Sequence, residues 1–416
     1  MIGYGDKTLV MQEAAWQALC DQWIRENRPG KRILILPPDR TRLYSCAGEI
    51  TAYLYRKLCA EHEITIMPAL GTHMQMNPAE LASFFPGVPQ EVICVHNWKE
   101  DTVKLGTVPA SYVSLVTDGK CPWDIDVLIN HKLVDGSFDT IISVGQVVPH
   151  EVVGMANYTK NLVVGVGGKD MINKSHMVSA YCNIETIMGN IDSPVRAIFD
   201  YAQKEFLDSL NIHFFLTVTT EKDAKAYLHG LFIGKERGTF EAAAKLAQQT
   251  NITWLSERVS RMVCWLEPDE FRSTWVGNKA IYRTRMAIAD GGELVIIAPG
   301  LKQFGENLEV DAVIRQFGYK GTAQTLQLYA AGAFEGYEAV AAHLIHGSSD
   351  GRFRIIYATD ESLMARQEIE AAGFEWMPVK EAMNRYKPLE KNTGFFEDRE
   401  GTYYFVKAPA VGLWRK

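Results

Sequence analysis

Short apolar runs, each closed by a turn or polar residue, alternate with longer segments of helical period through most of this chain. The runs are RILILPP (32–38), EITIMPAL (63–70), EVICVHN (91–97), TIISVGQV (140–147) and NLVVGVG (161–167). Each reads as a buried strand, and the intervening helical segments are what parallel strands need as crossovers. The pattern predicts an α/β protein, built as two α/β domains with mainly parallel sheets and a cleft between them. In open sheets of this kind ligands lie beyond the strand C-termini, so the Pro, Gly, His and Asn residues that end these runs mark where chemistry is expected.

Helical segments dominate the middle of the chain, as in SPVRAIFDYAQKEFLDSL (193–210), where Ser193 before Pro194 signals a helix start. A second βα series opens at GGELVIIAPGLKQFGE (291–306) and continues through RFRIIYATD (352–360). The Asp290-Gly291-Gly292 turn is the expected boundary and hinge. It gives an N-terminal domain over 1–285 and a C-terminal domain over 286–397. The alternating tail, 398–416, is expected to pair back onto either domain.

Composition narrows the partners. With 47% hydrophobic residues among 416, a large core is available. A formal charge of -7 leaves no basic stripe for a phosphate backbone, which argues against nucleic acid. The apolar runs fall far short of the roughly 18 residues of a membrane span. The N-terminal stretch lacks the basic and apolar regions of a signal peptide. Seven scattered cysteines without a C-x-x-C pair suit a reducing cytoplasm.

Polar groups of catalytic type follow the predicted strands. Asp39, Arg40, Thr41 and Arg42 come after the first, as an anion site at a helix start or as an N-cap beside a solvated arginine pair. Thr72 and His73 follow the second, and His96 the third; a lone histidine of this kind is more often a satisfied polar residue than a catalyst. His150 ends the fourth, and the segment PHEVVGMANYTKNLVVGVGGKDMINKSH (149–176) adds Lys160, a glycine turn that includes Gly167 and Gly168, and His176. Imidazole serves as general base or as nickel or zinc ligand, and a buried lysine can attack an activated acyl group. No Walker A, H-E-x-x-H or G-x-S-x-G signature accompanies them, so these residues alone define an α/β enzyme without defining its reaction.

The order and spacing of the Asp39–Arg42 element, Gly71-Thr72-His73, His96, Pro149-His150, Lys160 and His176 resemble the nickel-dependent lactate racemases, and APGLKQFGENLEVDAVIRQFGYKGT (298–322) resembles the start of that family's C-terminal domain. The resemblance implies a nickel-pincer nucleotide, a pyridinium mononucleotide that holds nickel through two sulfur substituents and a ring carbon. It would be joined to Lys160 as a thioamide, with His176 as the protein ligand to nickel. His96 and His150 would be the acid/base pair, Arg42 and Lys302 would hold the substrate carboxylate, and Asp39 would orient that corner. Thr72, His73, Gly167 and Gly168 would contact the cofactor. The implied activity is racemisation or epimerisation at C2 of a 2-hydroxy acid, lactate-like or a larger aldonate such as gluconate. The implied partners are that substrate and cofactor-biosynthesis proteins. The chain departs from the family where a glycine-rich run usually precedes the lysine: here MANYTK places Asn157, Tyr158 and Thr159.

Two other readings remain at this level. His96, His150 and His176 could be three ligands of a zinc or nickel hydrolase, which would not need Lys160. A binding or sensor protein could use the Arg42 anion site, although it would have no need of so many bases.

Overall fold

The computed structural model describes residues 1–222 and 225–416. They form two compact units, Met1–Asn251 and Ile252–Lys416.

The first unit carries β1 (Ile2–Gly5), β2 (Arg32–Leu36), β3 (Glu63–Ile66), β4 (Thr102–Val108), β5 (Ile125–Asn130), β6 (Thr140–Gln146), β7 (Pro149–His150), β8 (Gly154–Met155), β9 (Ile212–Lys222) and β10 (Lys225–Gly234). Its main sheet has the order β1-β10-β9-β6-β2-β3. The four strands β9, β6, β2 and β3 run parallel, and β10 and β1 add an antiparallel edge. Helices cover both faces, so side chains of opposite parity enter two separate cores. Leu34 and Leu36 join one with Ile141, while Ile33 and Ile35 join the other with Ile142 and Val144. This double burial explains why RILIL and TIISVGQ read as continuous apolar runs. The loops leaving β2, β3 and β6 emerge from one edge of the sheet, which places Asp39, His73 and His150 on the same side.

Two expected strands are not strands. EVICVHN forms a short 3-10 turn at Gln90–Val92, and its only pairing is an isolated parallel bridge from Ile93 to Ile66. NLVVGVG is a π-helix over Asn161–Gly165, entered through helical Thr159 and Lys160. All five π-helix residues are buried, so the run shows no amphipathic period, and a short apolar run without one does not distinguish strand from helix.

The second unit carries β11 (Ile252–Trp254), β12 (Val259–Trp265), β13 (Ile288–Ala298), β14 (Arg354–Thr359), β15 (Glu375–Pro378), β16 (Gly394–Asp398), β17 (Gly401–Val406) and β18 (Leu413–Arg415). Its sheet has the order β15-β14-β13-β12-β17-β16 and is parallel except at β16. The division therefore lies at 251/252 and not near 285. VSRMVCW (259–265) is a central strand of the second sheet, which draws 252–285 into that unit. Gly291 and Gly292 lie inside β13 and are not a linker. The tail also belongs here, with β17 beside β12 and β18 beside β11.

No helix among the described residues is long and apolar enough to cross a membrane. All seven cysteines are free thiols.

Candidate active site

β2 delivers the chain through Pro37 and Pro38 to Asp39, which caps the 3-10 turn Arg40–Ser45. The Asp39 carboxylate is only 4% exposed. One oxygen accepts from the Thr41 backbone N–H at 2.9 Å and its hydroxyl at 2.5 Å; the other lies 2.7 Å from His73 Nδ1. Burial pushes this carboxyl up, but the His73 charge and the hydrogen bonds from His73 and Thr41 outweigh it, leaving the pKa at about 2. Asp39 is thus a fixed anion. Arg42 sits on the same turn, at a non-helical kink. The loop carrying Thr72 and His73 is tied down by Gly71, whose N–H donates to the Gly165 carbonyl at 2.8 Å. Gly71 takes φ +57 there, a conformation glycine adopts without strain.

Lys160 approaches from the other side of this corner. It follows Asn157 and Tyr158, two successive non-glycine residues with positive φ, 67° and 58°. Such residues cost on the order of 1–3 kcal/mol each, and the surroundings hold them in place. The Tyr158 ring stacks on Phe240, and Arg196 donates to the carbonyls of Met155 and Asn157. Just past the lysine, Asn161 Nδ2 donates to the Leu36 carbonyl at 3.1 Å and Ser143 Oγ at 2.8 Å, fastening the π-helix to β2 and β6. Lys160 is half-buried as a residue, with its ammonium turned inward. Burial, then the charge of Arg42, pull its pKa down to about 8, against the opposing pull of Glu151 and Asp39. A substantial neutral fraction near pH 8 makes this amine a competent nucleophile.

His176 belongs to the same group. It projects from the helix Lys169–Cys182, and its Nδ1–H donates to the Ile172 carbonyl at 2.6 Å. Burial lowers its pKa, the Lys160 charge adds to that, and Glu151 opposes it. The ring is therefore neutral near pH 7, with its proton fixed on Nδ1 and the Nε2 lone pair left as the donor. A backbone carbonyl that sets the tautomer in this way is the usual companion of a metal-ligating histidine.

His150 and His96 are held differently. His150, on β7, accepts at Nδ1 from the Val152 N–H at 3.1 Å, with Glu151 Oε2 at 4.0 Å from the same nitrogen. Its neutral form therefore carries the proton on Nε2, opposite to His176. His96 is 3% exposed and committed at both nitrogens. Asn130 Oδ1 accepts from the Lys132 N–H, so Asn130 Nδ2 must be the group donating to His96 Nδ1, at 2.9 Å. His96 Nε2–H then donates to the Gly167 carbonyl at 3.1 Å. Burial lowers its pKa, in keeping with a neutral ring.

The structure thus brings Asp39, Arg42, His73, Lys160 and His176 together, with His150 linked to them through Glu151. His96 is attached instead to the glycine turn. Gly167 and Gly168 have their Cα faces filled by protein: a Cβ on Gly167 would overlap the Val163 carbonyl, and one on Gly168 would lie 2.6 Å from Leu128 Cβ. Thr72 is exposed, and Lys302 lies exposed on a loop of the second unit. Among the described residues no three His, Cys, Asp or Glu side chains gather as a metal site, so the three-histidine hydrolase has no assembled ligand set. Sequence reasoning missed Glu151 and Arg196. The first was visible as an acid beside His150, and the second as an arginine among the buried Val195, Ile198 and Phe199 of its helix.

Residues 17–187 match the family model of the lactate racemase N-terminal domain. This segment is similar to a lactate racemase N-terminal domain. Every site residue named above in the first unit lies within it except Arg196. Lys302 lies outside it. A protein from Thermotoga maritima solved by a structural genomics consortium is 21% identical and superposes with a TM-score of 0.83, covering 97% of this chain and 98% of its own. The lactate racemase apoprotein from Thermoanaerobacterium thermosaccharolyticum is 15% identical, with a TM-score of 0.66 over 93% of this chain and 87% of its own. At these identities the two structures establish the shared two-domain α/β fold. No curated protein sequence matches the chain.

Proposed function

We propose that the protein is a racemase or epimerase that inverts C2 of a 2-hydroxy acid, using a nickel-pincer nucleotide joined to Lys160. The observation that carries this reading is the pairing of a lysine held near pKa 8 with a neutral histidine whose Nε2 remains a donor, in one buried neighbourhood. The donor set suits the group. Lys160 would carry the covalent link, His176 Nε2 would be the protein ligand to nickel, and His73 and Thr72 would border it. When bound, the nucleotide would supply a pyridinium ring able to accept and return hydride.

The chain's own part is positioning and proton transfer. Arg42 would hold the substrate carboxylate through charge-assisted hydrogen bonds. Asp39, fixed as an anion, would keep His73 oriented beside that corner. Inversion would need the hydroxyl proton removed as C2 becomes planar and returned as C2 is rebuilt with the opposite hand; a neutral histidine is suited to the first role and the imidazolium it becomes to the second. His150 and His96 are the proposed pair. His96 would have to give up Asn130 or Gly167 to take or release a proton. Asn157, Tyr158 and Thr159 are buried, with the Tyr158 ring on Phe240 and the Thr159 hydroxyl between Arg196 and Asp200, so they give no support to a hydroxylated acid larger than lactate. The remaining partners would be the proteins that build the nucleotide, and a reducing cytoplasm would suit the free thiols.

Intact mass and nickel content of protein co-produced with a cofactor-building pathway test the reading. The expected result is a nucleotide-sized adduct on the peptide containing Lys160, about one nickel per chain, and loss of optical purity in one member of a panel of 2-hydroxy acids. Metal without an adduct, or full activity in Lys160→Ala, would overturn it.

A further inference from the structure

We infer that Arg196 and Thr159 are positioning residues that aim Lys160 into its site. The inference gains its catalytic meaning from the reading of Lys160 as the cofactor anchor. Arg196 lies on the helix Pro194–Phe206 and is fully buried, with its guanidinium 4.3 Å from the centre of the Phe240 ring. One Nη donates to the carbonyls of Met155 at 2.6 Å and Asn157 at 3.1 Å, and the other donates to Thr159 Oγ at 2.5 Å. Thr159 Oγ in turn donates to Asp200 Oδ1 at 2.8 Å. The direction of that relay has no alternative, since a guanidinium only donates and a carboxylate only accepts. Asp200 is itself held by Arg237.

All three hydrogen bonds that Arg196 donates fall on the five residues immediately before Lys160. They pin the two left-handed residues Asn157 and Tyr158, then the Thr159 side chain. Thr159 and Lys160 are successive helical residues, so their side chains leave the axis about 100° apart. Fixing the Thr159 hydroxyl between Arg196 and Asp200 therefore fixes the direction in which Lys160 departs. A buried arginine with an unpartnered Nε is a costly way to hold an ordinary loop. Here it satisfies two carbonyls that the left-handed turn exposes to the interior, and it orients a hydroxyl.

The test uses protein produced without any cofactor pathway, so that Lys160 is a free amine. Acylation of Lys160 by an N-hydroxysuccinimide ester is followed by peptide mass spectrometry across pH, together with backbone hydrogen exchange. The variants are Thr159→Val, Thr159→Ser and Arg196→Lys. In the parent protein the labelling midpoint should lie near 8. Thr159→Val should move it upward by at least one pH unit, toward the ordinary lysine value near 10.4. It should also speed exchange about tenfold across 155–161 alone. Thr159→Ser, which keeps the hydroxyl, should behave as the parent, and Arg196→Lys should fall with Thr159→Val. An unchanged midpoint in Thr159→Val, identical behaviour of the Val and Ser variants, or exchange that rises equally throughout the unit would overturn the inference. If Arg196→Lys fails to fold, the Val and Ser pair decides. Absence of an adduct on Lys160 in co-produced protein would defeat the proposed function and leave this result standing.

Discussion

Nδ1 of His73 lies 2.7 Å from Oδ2 of Asp39, joining a side chain that is half in solvent to a carboxylate that is almost wholly buried. Asp39 keeps its negative charge over most of the pH range. Asp39 titrates at about 2 in the fold, below the ordinary aspartate value near 3.9. A carboxyl lowered by folding stabilises fully above its unfolded pKa, and that contribution is lost as pH falls through the folded one. Asp39→Asn should therefore lower the unfolding free energy by on the order of 2 kcal/mol at pH 6. The gap between parent and variant should close between about pH 4 and pH 2. Urea unfolding followed across that range checks it.

Lys160 gives the opposite behaviour. Its folded pKa of about 8 lies below the ordinary value near 10.4, so between these values the unfolded chain binds more protons and stability rises with pH. Below pH 8 the buried charge is a cost, so Lys160→Met should stabilise the cofactor-free protein, by roughly 1–3 kcal/mol after allowance for partial solvent access. The advantage should fade from pH 8 to about 10.4. A variant no more stable than the parent at pH 7 would mean that Asp39 and Glu151 fully compensate the amine.

Much of this architecture was legible in the sequence because burial on both faces leaves a plain mark. RILIL and TIISVGQ became β2 and β6, and the residues after them lie together because parallel strands share a C-terminal edge. The same burial hid the π-helix, since NLVVG is apolar on every side and its backbone was decided by Asn161 reaching Leu36 and Ser143. The domain boundary was misplaced for a related reason. VSRMVCW carries an arginine and a serine near its start, and Arg261 is accommodated only because Glu293, Asp398 and Glu400 surround it. Those partners are distant in sequence, so the run does not announce itself as a central strand. The hydrogen bonds that occupy both nitrogens of His96 are equally invisible along the chain.

His176 makes a prediction about metal that is separate from the one about the lysine. With Nδ1–H held by Ile172, Nε2 is the coordinating atom of the proposed site. His176→Ala should lower nickel retention on dialysis by at least about tenfold while leaving the mass adduct on Lys160 in place. Lys160→Ala should remove the adduct and the nickel together. Metal analysis paired with peptide mass spectrometry separates the two, and equal loss of adduct in both variants would show that His176 is needed to build the attachment.

The clasp between Asn130 and His96 predicts a structural cost distinct from any catalytic one. Asn130→Ala would leave His96 Nδ1 in a buried space without its donor, which should destabilise the protein by about 1–3 kcal/mol. If His96 acts as acid or base only after leaving this clasp, Asn130→Ala should keep measurable turnover, whereas His96→Ala should abolish it. Melting temperature and turnover measured side by side distinguish the two contributions.

Gly167 and Gly168 separate packing from ligand contact most sharply. Gly168 donates its N–H to the Leu128 carbonyl at 3.0 Å, and Gly167 makes an isolated antiparallel bridge to Ile129, so the turn is pressed against β5. A methyl group on Gly167 would meet the Val163 carbonyl oxygen, a backbone atom that cannot rotate away. Gly167→Ala should thus cost roughly 1–3 kcal/mol or more as an overpacked site, and it should disturb His96 as well, because the Gly167 carbonyl is one of that ring's two partners. A glycine that served only to let a phosphate approach would leave the cofactor-free protein as stable as the parent after substitution. Thermal unfolding of the cofactor-free Gly167→Ala variant decides between them: a large drop assigns the turn to packing, and an unchanged melting temperature returns it to the cofactor.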